Sequence, residues 1–471
     1  MWSALGGHGS IADRVSFAGE GSLAGAFAQT DLAAAAFGVA GAAVSELLEA
    51  AGEPASAVEV DRRLASGWFL LPPGPSRLVN APPPRPVHFP EFHTEVASAD
   101  GRWLRLHAFP ANRRRIVNAL GVDDSVDAVA AVVRERAVDE IEQELVDQAC
   151  VVAASRTTDE WFAHPAGAAV DAEPLVAVTE FAAEGTEWRP TPGRPLSGIK
   201  VLDLTRVVAG PTGSRFLAAL GAEVLRLDAP DSEESRNVPL GYDLLLGKRW
   251  AFLDLRSAEG LAQFRRLLAE ADVLVHGYRP GALDGFVPED ERRHLNPGLV
   301  EVALRAYGWE GPWKMRRGFD TVVQFSVGLA NATQEWALAD PERRLPLQIN
   351  GYDSDATRPR HTPVEGLDLA TGYQMAAAVV RGLTRRLRTG AGSTSKYSLA
   401  RTASLLIKAG PNPDDAPEIR LPLDGPWEDR IYGSPLGPVK RMVFPIQIER
   451  APLYWEKTPD RPGAARPVWN S

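Results

Sequence analysis

Leu202-Asp-Leu-Thr-Arg-Val-Val-Ala-Gly-Pro-Thr-Gly213 is a strand that runs through a short turn into a helix. The strand begins at Ile199-Lys-Val-Leu-Asp-Leu204, and the helix is expected over residues 211–220. Downstream the same grammar repeats. Strands are expected at 223–227, 250–255, 272–276 and 299–304, with a helix over 258–271. Strands alternating with helices at this spacing predict an α/β fold, a doubly wound, Rossmann-like parallel sheet. Ligands of such sheets sit beyond the carboxyl ends of the strands, here the loops that start at Thr205, Asp228, His276 and Arg305.

Upstream lies Trp188-Arg-Pro-Thr-Pro-Gly-Arg-Pro195, rigid and polar, which reads as a linker over 188–195. Residues 90–187 before it read as a smaller α+β domain. In it a half-buried strand is expected at 102–107, helices at 112–121, 124–136 and 138–150, and a capping box at Thr157-Thr-Asp-Glu160. Residues 1–89 hold an Ala-rich helix within 21–51, introduced by Thr30-Asp31. A strand turning into a short helix follows at 57–69, then a Pro-rich extended connector over 71–90. The block 196–408 carries the sheet. The Pro-rich tail 409–471 is expected to wrap over the rest, with one strand at 441–448.

The totals narrow the function. With 471 residues, the chain exceeds a single core. A formal charge of -10 disfavours nucleic acid or an anionic membrane as a general partner. The single cysteine, Cys150, excludes a disulfide framework and multi-cysteine metal sites, and reads as a small buried apolar residue. The apolar run 32–48 is short for a membrane span and broken by Gly38 and Gly41, so it reads as a core helix. The start has no basic, apolar leader pattern, and a cytoplasmic location is the expectation. The eight histidines lack metal-ligand spacing.

Four groups of residues could carry chemistry. The helix start after Val208 can hold an anion, and Asp228 ends a strand where dinucleotide folds place a ribose-binding acid, although G-x-G-x-x-G is missing. Tyr278 and Arg279, in Gly277-Tyr-Arg-Pro-Gly-Ala-Leu283, could stack on or pair with a phosphorylated nucleotide, or form a solvated turn. In Arg316-Arg-Gly-Phe-Asp320, the aspartate reads as the cap of a helix over 322–329. Asp368 heads a hydrophobic helix running to Leu387. The helix dipole would favour its anion, as a nucleophile needs, but a lone carboxylate there also reads as a cap. Asp31-Leu-Ala33 repeats the pattern of Asp368-Leu-Ala370 at the head of the other Ala-rich helix.

In combination, Pro195 to Pro211, Leu220-Gly-Ala-Glu-Val224, Lys248-Arg249, Arg279-Pro-Gly-Ala-Leu-Asp284, Asn296-Pro297, Gly318-Phe-Asp320, Asp368-Leu-Ala-Thr-Gly372 and Ser398-Leu-Ala-Arg-Thr402 resemble class III CoA-transferases, the CaiB/BaiF family, in the family's order. The resemblance covers about residues 195–408. The two domains stand in an unusual order, similar to a fused and trimmed pair of halves, as in longer members. The resemblance implies an intertwined homodimer of ring-like chains, coenzyme A as carrier, an acyl-CoA and a carboxylic acid as partners, and no metal. It implies that Asp368 is the nucleophile, passing through an aspartyl anhydride and an aspartyl-CoA thioester. Val207 and Val208 would line the CoA nucleotide, Tyr278 the adenine, and Arg317 the phosphates, with Leu253 and Arg279 as further CoA contacts. Ala229 and Gly277 stand where the family often has a basic residue and Asn. Phe319 replaces the His of the family's racemases, removing one of their acid/base groups. An inactive CoA-binding member and a nucleotide-dependent oxidoreductase are the alternatives.

Overall fold

The computed structural model describes all residues except 71–74, 80–91, 184, 233–242, 341–342, 344–357, 414–415, 422, 424, 435–436, 460 and 471. Its centre is a seven-stranded sheet in the order Lys248–Phe252, Glu223–Asp228, Lys200–Leu204, Val273–His276, Val300–Arg305, Gly392–Ser398 and Ala177–Phe181. The first six strands run parallel; the last is antiparallel, with Ser395 opposite Val178, and comes from before the 188–195 linker.

Strand alternation sorts the side chains into two cores. Val201, Val224, Val273 and Val275 face one way, joining the helices Ala209–Ala219 and Gly366–Thr389. Leu202, Leu204, Leu225, Leu227 and Leu274 face the other, joining Phe264, Leu267 and Leu268 of the helix Ala258–Glu270. The Gly366–Thr389 helix can lie tight on Ala209–Ala219 because small residues meet there. A Cβ on Gly213 would stand 2.7 Å from Gly372 O, and one on Gly372 would stand 2.3 Å from Ala209 O.

The Ala-rich helix spans Gln29–Ala50 and packs along Gly366–Thr389, with the Phe37 and Tyr373 rings 4.0 Å apart. It is long and apolar enough to cross a membrane, but 89% of its most apolar window is buried inside the protein. The ends of the chain are interwoven. Val15–Ala18 and Val58–Asp61 form a sheet with Ile446–Ile448, and Ser76–Leu78 forms another with Val439–Met442 and Trp427–Tyr432.

Two expectations change here. Ser76–Leu78 is a paired strand inside the stretch read as an extended connector without regular elements; the remainder of 71–90 apart from Pro75 and Val79 lies outside the described residues. The expected strand 441–448 is two strands in different sheets, separated at Pro445, which has no N–H to give to a ladder.

The small α+β unit packs Pro110–Leu120, Val126–Val133 and Val138–Asp147 on the sheet Glu95–Ala97, Trp103–Leu106, Val152–Ala154. Its own core includes Leu104, Ile116, Val129, Ile141 and the buried Cys150. The capping box at Thr157 and Glu160 is present, with both of its reciprocal bonds formed.

Candidate active site

The turn after Lys200–Leu204 is shaped by a buried ion pair beneath it. Asp203 accepts from Thr205 N at 2.9 Å, Ser214 Oγ at 2.6 Å and Lys248 Nζ at 2.9 Å, with no solvent reaching either charged side chain. Burial works against both charges. It pushes Lys248 down to about 8, whereas at Asp203 the charges of Lys248 and Arg226 outweigh it and hold the carboxyl low. Above this pair the backbone turns sharply. Val207 sits at φ 66°, a left-handed conformation that a β-branched residue adopts only under constraint, and Val208 precedes the helix Ala209–Ala219.

Asp368 lies in the first turn of Gly366–Thr389 and is 6% exposed. Its N–H donates to Asp320 Oδ2 at 2.8 Å, and Gln324 Nε2 donates to Asp320 Oδ1 at 2.5 Å. Two sequence expectations fail at this point. Asp320 makes no cap bond on its own helix, Asp320–Ser326, whose N-cap residue is Phe319; its carboxylate reaches across to the Asp368 helix instead. The helix dipole also does not decide the ionisation of Asp368. Burial, then the charges of Asp320 and Glu365, push its carboxyl well above the usual range. Burial likewise raises Asp320, to about 6.

A cavity of about 200 Å³ opens where these elements meet. Val207, Val208, Tyr278, Arg279, Arg317 and Asp368 all line it. Arg317 stands among cations. Burial, followed by Arg279, Arg115 and Arg206, lowers its guanidinium to about 10. Arg206 lies 5.5 Å from the centre of the Tyr278 ring, whose hydroxyl burial pushes up to about 12. Arg316, next in sequence, is spent on structure. It donates to Glu142 Oε1 at 2.6 Å and to Val152 O at 2.9 Å, and lies over Trp313 at 3.9 Å, tying the small unit to the sheet.

Leu253 does not line this cavity. It follows the strand Lys248–Phe252, gives its N–H to Asp228 O at 2.9 Å, and packs against the Leu-rich core on the outer face. Asp228 is likewise engaged internally, its Oδ2 accepting from Arg226 Nε at 2.9 Å and Trp250 Nε1 at 2.7 Å, and at 1% exposure its carboxylate is closed to solvent. Asp31 is on the surface, its half-exposed side chain 2.6 Å from Arg62.

Phe109, Asn112 and Arg115 also line the cavity, and sequence reading did not single them out. They belong to the small unit and arrive by tertiary packing. Asn112 fixes their position, donating Nδ2 to His107 O and Val151 O while Oδ1 accepts from Val151 N. The run Arg113-Arg-Arg115 was the available signal, and it reads equally as a solvated helix face.

Residues 196–412 match the model of CoA-transferase family III. The match covers 217 of the 471 residues, just under half of the chain. The matched portion is similar to a probable fatty acyl-CoA transferase of Mycobacterium tuberculosis, 33% identical over 212 residues, covering 42% of this chain and 49% of the relative. It is also similar to the mouse (Mus musculus) succinyl-CoA:glutarate CoA-transferase, 32% identical, with 42% and 44% covered. A solved CaiB/BaiF family protein from Brucella suis is 26% identical, with a TM-score of 0.39, covering 46% of this chain and 57% of that one. The chain thus spans about half the length of the curated relatives it matches. Every expected site residue lies in the matched portion, whereas Phe109, Asn112 and Arg115 lie outside it.

Proposed function

We propose that this protein transfers coenzyme A between an acyl-CoA thioester and a carboxylic acid, with Asp368 as the covalent nucleophile. One observation carries this reading: a buried carboxylate and a group of arginines line the same cavity, so a thioester and the phosphates of its CoA have complementary partners there.

The chemistry runs in four balanced exchanges. The Asp368 carboxylate attacks the thioester carbonyl, and the C–S bond breaks to give an aspartyl anhydride and CoA thiolate. The thiolate attacks the aspartyl carbonyl and releases the donor acid, leaving an aspartyl-CoA thioester. The acceptor carboxylate attacks that thioester and regenerates an anhydride and thiolate. Attack of the thiolate on the acceptor carbonyl then frees the new acyl-CoA and the aspartate. Covalent capture divides one difficult exchange into easier ones, and the burial of Asp368 keeps water from the anhydride. Arg279 and Arg317 take the phosphates, Tyr278 faces the adenine, and Val207 and Val208 line the nucleotide. Phe319, on the cavity wall, can neither give nor take a proton, which disfavours racemisation. A doubly wound sheet, supported by helices on both of its faces, completes the proposal, together with an intertwined homodimer in the cytoplasm.

Incubation with acyl-CoA followed by hydroxylamine or borohydride tests this directly. A modification confined to Asp368, read by mass spectrometry, is the expected result. Labelling at Asp31 would move the site, and tight CoA binding with neither residue labelled would leave a binding protein.

A further inference from the structure

The first turn of an α-helix leaves backbone N–H groups without partners inside the helix. In Gly366–Thr389, the N-cap residue Glu365 makes no side-chain cap bond. Its acceptor comes from another helix. Asp320 Oδ2 takes the Asp368 N–H at 2.8 Å. Gln324 steadies that carboxylate, donating Nε2 to Oδ1 at 2.5 Å while its own Oε1 accepts from Thr362 N at 2.9 Å. Asp320 is therefore held on both oxygens by neutral donors, at 2% exposure, and among the described residues no cation pairs with it.

Building on Asp368 as the nucleophile, we propose that Asp320 is its positioning residue: it fixes the turn that carries Asp368 and, as a buried carboxylate without a counter-ion, sets the charge that Asp368 faces. The cap alone needs only an acceptor oxygen, which an amide also provides. The charge is a separate contribution, because two carboxylates in one water-poor site resist ionising together. The directions agree, with burial first and then Asp320 and Glu365 raising Asp368. A more basic carboxylate is the stronger nucleophile once ionised.

Charges on the other elements packed around this helix have partners of their own. Glu46 of Gln29–Ala50 pairs with Arg381 and Arg388, and Arg215 of Ala209–Ala219 donates to Tyr373 Oη at 3.2 Å and lies 3.8 Å from Asp243. Glu301 of Val300–Arg305 pairs with Arg292, and Arg305 lies over Trp309. Lys396 of Gly392–Ser398 faces Glu289 at 4.0 Å, and Arg401 of Leu399–Ala409 donates to Glu173 O. Of the two charges that raise Asp368, Asp320 and Glu365, Asp320 is the one contributed by another element, while Arg279 and Arg317 face it across the cavity they share.

The test is a ¹³C NMR titration of protein carrying ¹³C-carboxyl aspartate, with the Asp368 signal assigned by its loss in Asp368→Asn. Asp320→Asn keeps an acceptor and removes the charge, so the Asp368 midpoint should fall by about one pH unit or more. Asp320→Glu should hold it near the wild-type value. In turnover, the acid limb of the kcat profile should move down in Asp320→Asn with KM for CoA unchanged. An unaltered Asp368 midpoint in a folded Asp320→Asn protein overturns the proposal and leaves Asp320 a structural cap. The trapping experiment is read independently: a missing adduct on Asp368 counts against the proposed function, while the titration still decides the role of Asp320.

Discussion

Asp368 binds its proton more tightly in the folded protein than in the unfolded chain, because burial and two neighbouring carboxyls oppose its charge. A raised carboxyl gives its full contribution to stability below the unfolded value of about 3.9, and that contribution is lost as pH rises through the folded value. Asp368→Asn should therefore abolish the covalent adduct and at the same time stabilise the fold at pH 8, with the gain shrinking as pH is lowered. Urea denaturation at several pH values checks the sign; a gain that grows toward acid pH would contradict it. Arg317 belongs to the same scale. With no carboxylate pairing it among the described residues, Arg317→Ala should weaken CoA binding roughly ten- to a hundredfold, the range for one lost charged hydrogen bond, as measured by calorimetry. The difference should narrow in high salt.

Among the elements, the contact between Ala209–Ala219 and Gly366–Thr389 places the turn at Val207 beside Asp368. That contact depends on two glycines facing the opposite backbone. Gly372→Ala would force a methyl group to within 2.3 Å of Ala209 O, and neither backbone can yield locally. Overpacking of this kind costs about 1–3 kcal/mol. Adduct formation should drop more than stability does, since the helices must part at the site; equal rates of adduct formation in Gly372→Ala and wild type would show that their spacing is immaterial.

The same elements explain what the sequence could reveal. Five strands of the central sheet followed from apolar runs and spacing, whereas the polar Gly392–Ser398 and the edge strand Ala177–Phe181 did not, and the loops at the carboxyl ends of the strands do deliver Val207, Tyr278 and Arg279 to one cavity. Leu253 was misplaced because a position just past a strand can face either side, and only the register with Glu223–Asp228 settles which. The link from Asp320 to Asp368 joins residues 48 apart through a backbone N–H, a donor that every non-proline residue has and that leaves no mark in the sequence. Arg115 and Phe109 come from a unit whose docking depends on Arg316 and Glu142, residues that look in sequence like ordinary surface charges.

For the whole molecule, the Gln29–Ala50 helix is part of the main core, with Ala33, Phe37, Ala40 and Val44 almost completely buried. Deleting residues 1–70 would strip the partner face from Gly366–Thr389 and expose a broad apolar surface. The truncated chain should be insoluble or lack a cooperative unfolding transition by far-UV circular dichroism. A shortened protein with the wild-type urea midpoint would show instead that the two helices are energetically independent.

The interwoven ends also bear on biosynthesis. The strand Val58–Asp61 pairs with Ile446–Ile448, and the Gln29–Ala50 helix finds its main partner only in Gly366–Thr389. At ~5–20 residues per second, a ribosome needs on the order of tens of seconds to pass from one helix to the other. During that interval a highly apolar helix is outside the ribosome with its partner not yet made. Chaperones that shield nascent apolar segments should therefore engage the first seventy residues and let go only when translation has passed the Asp368 helix.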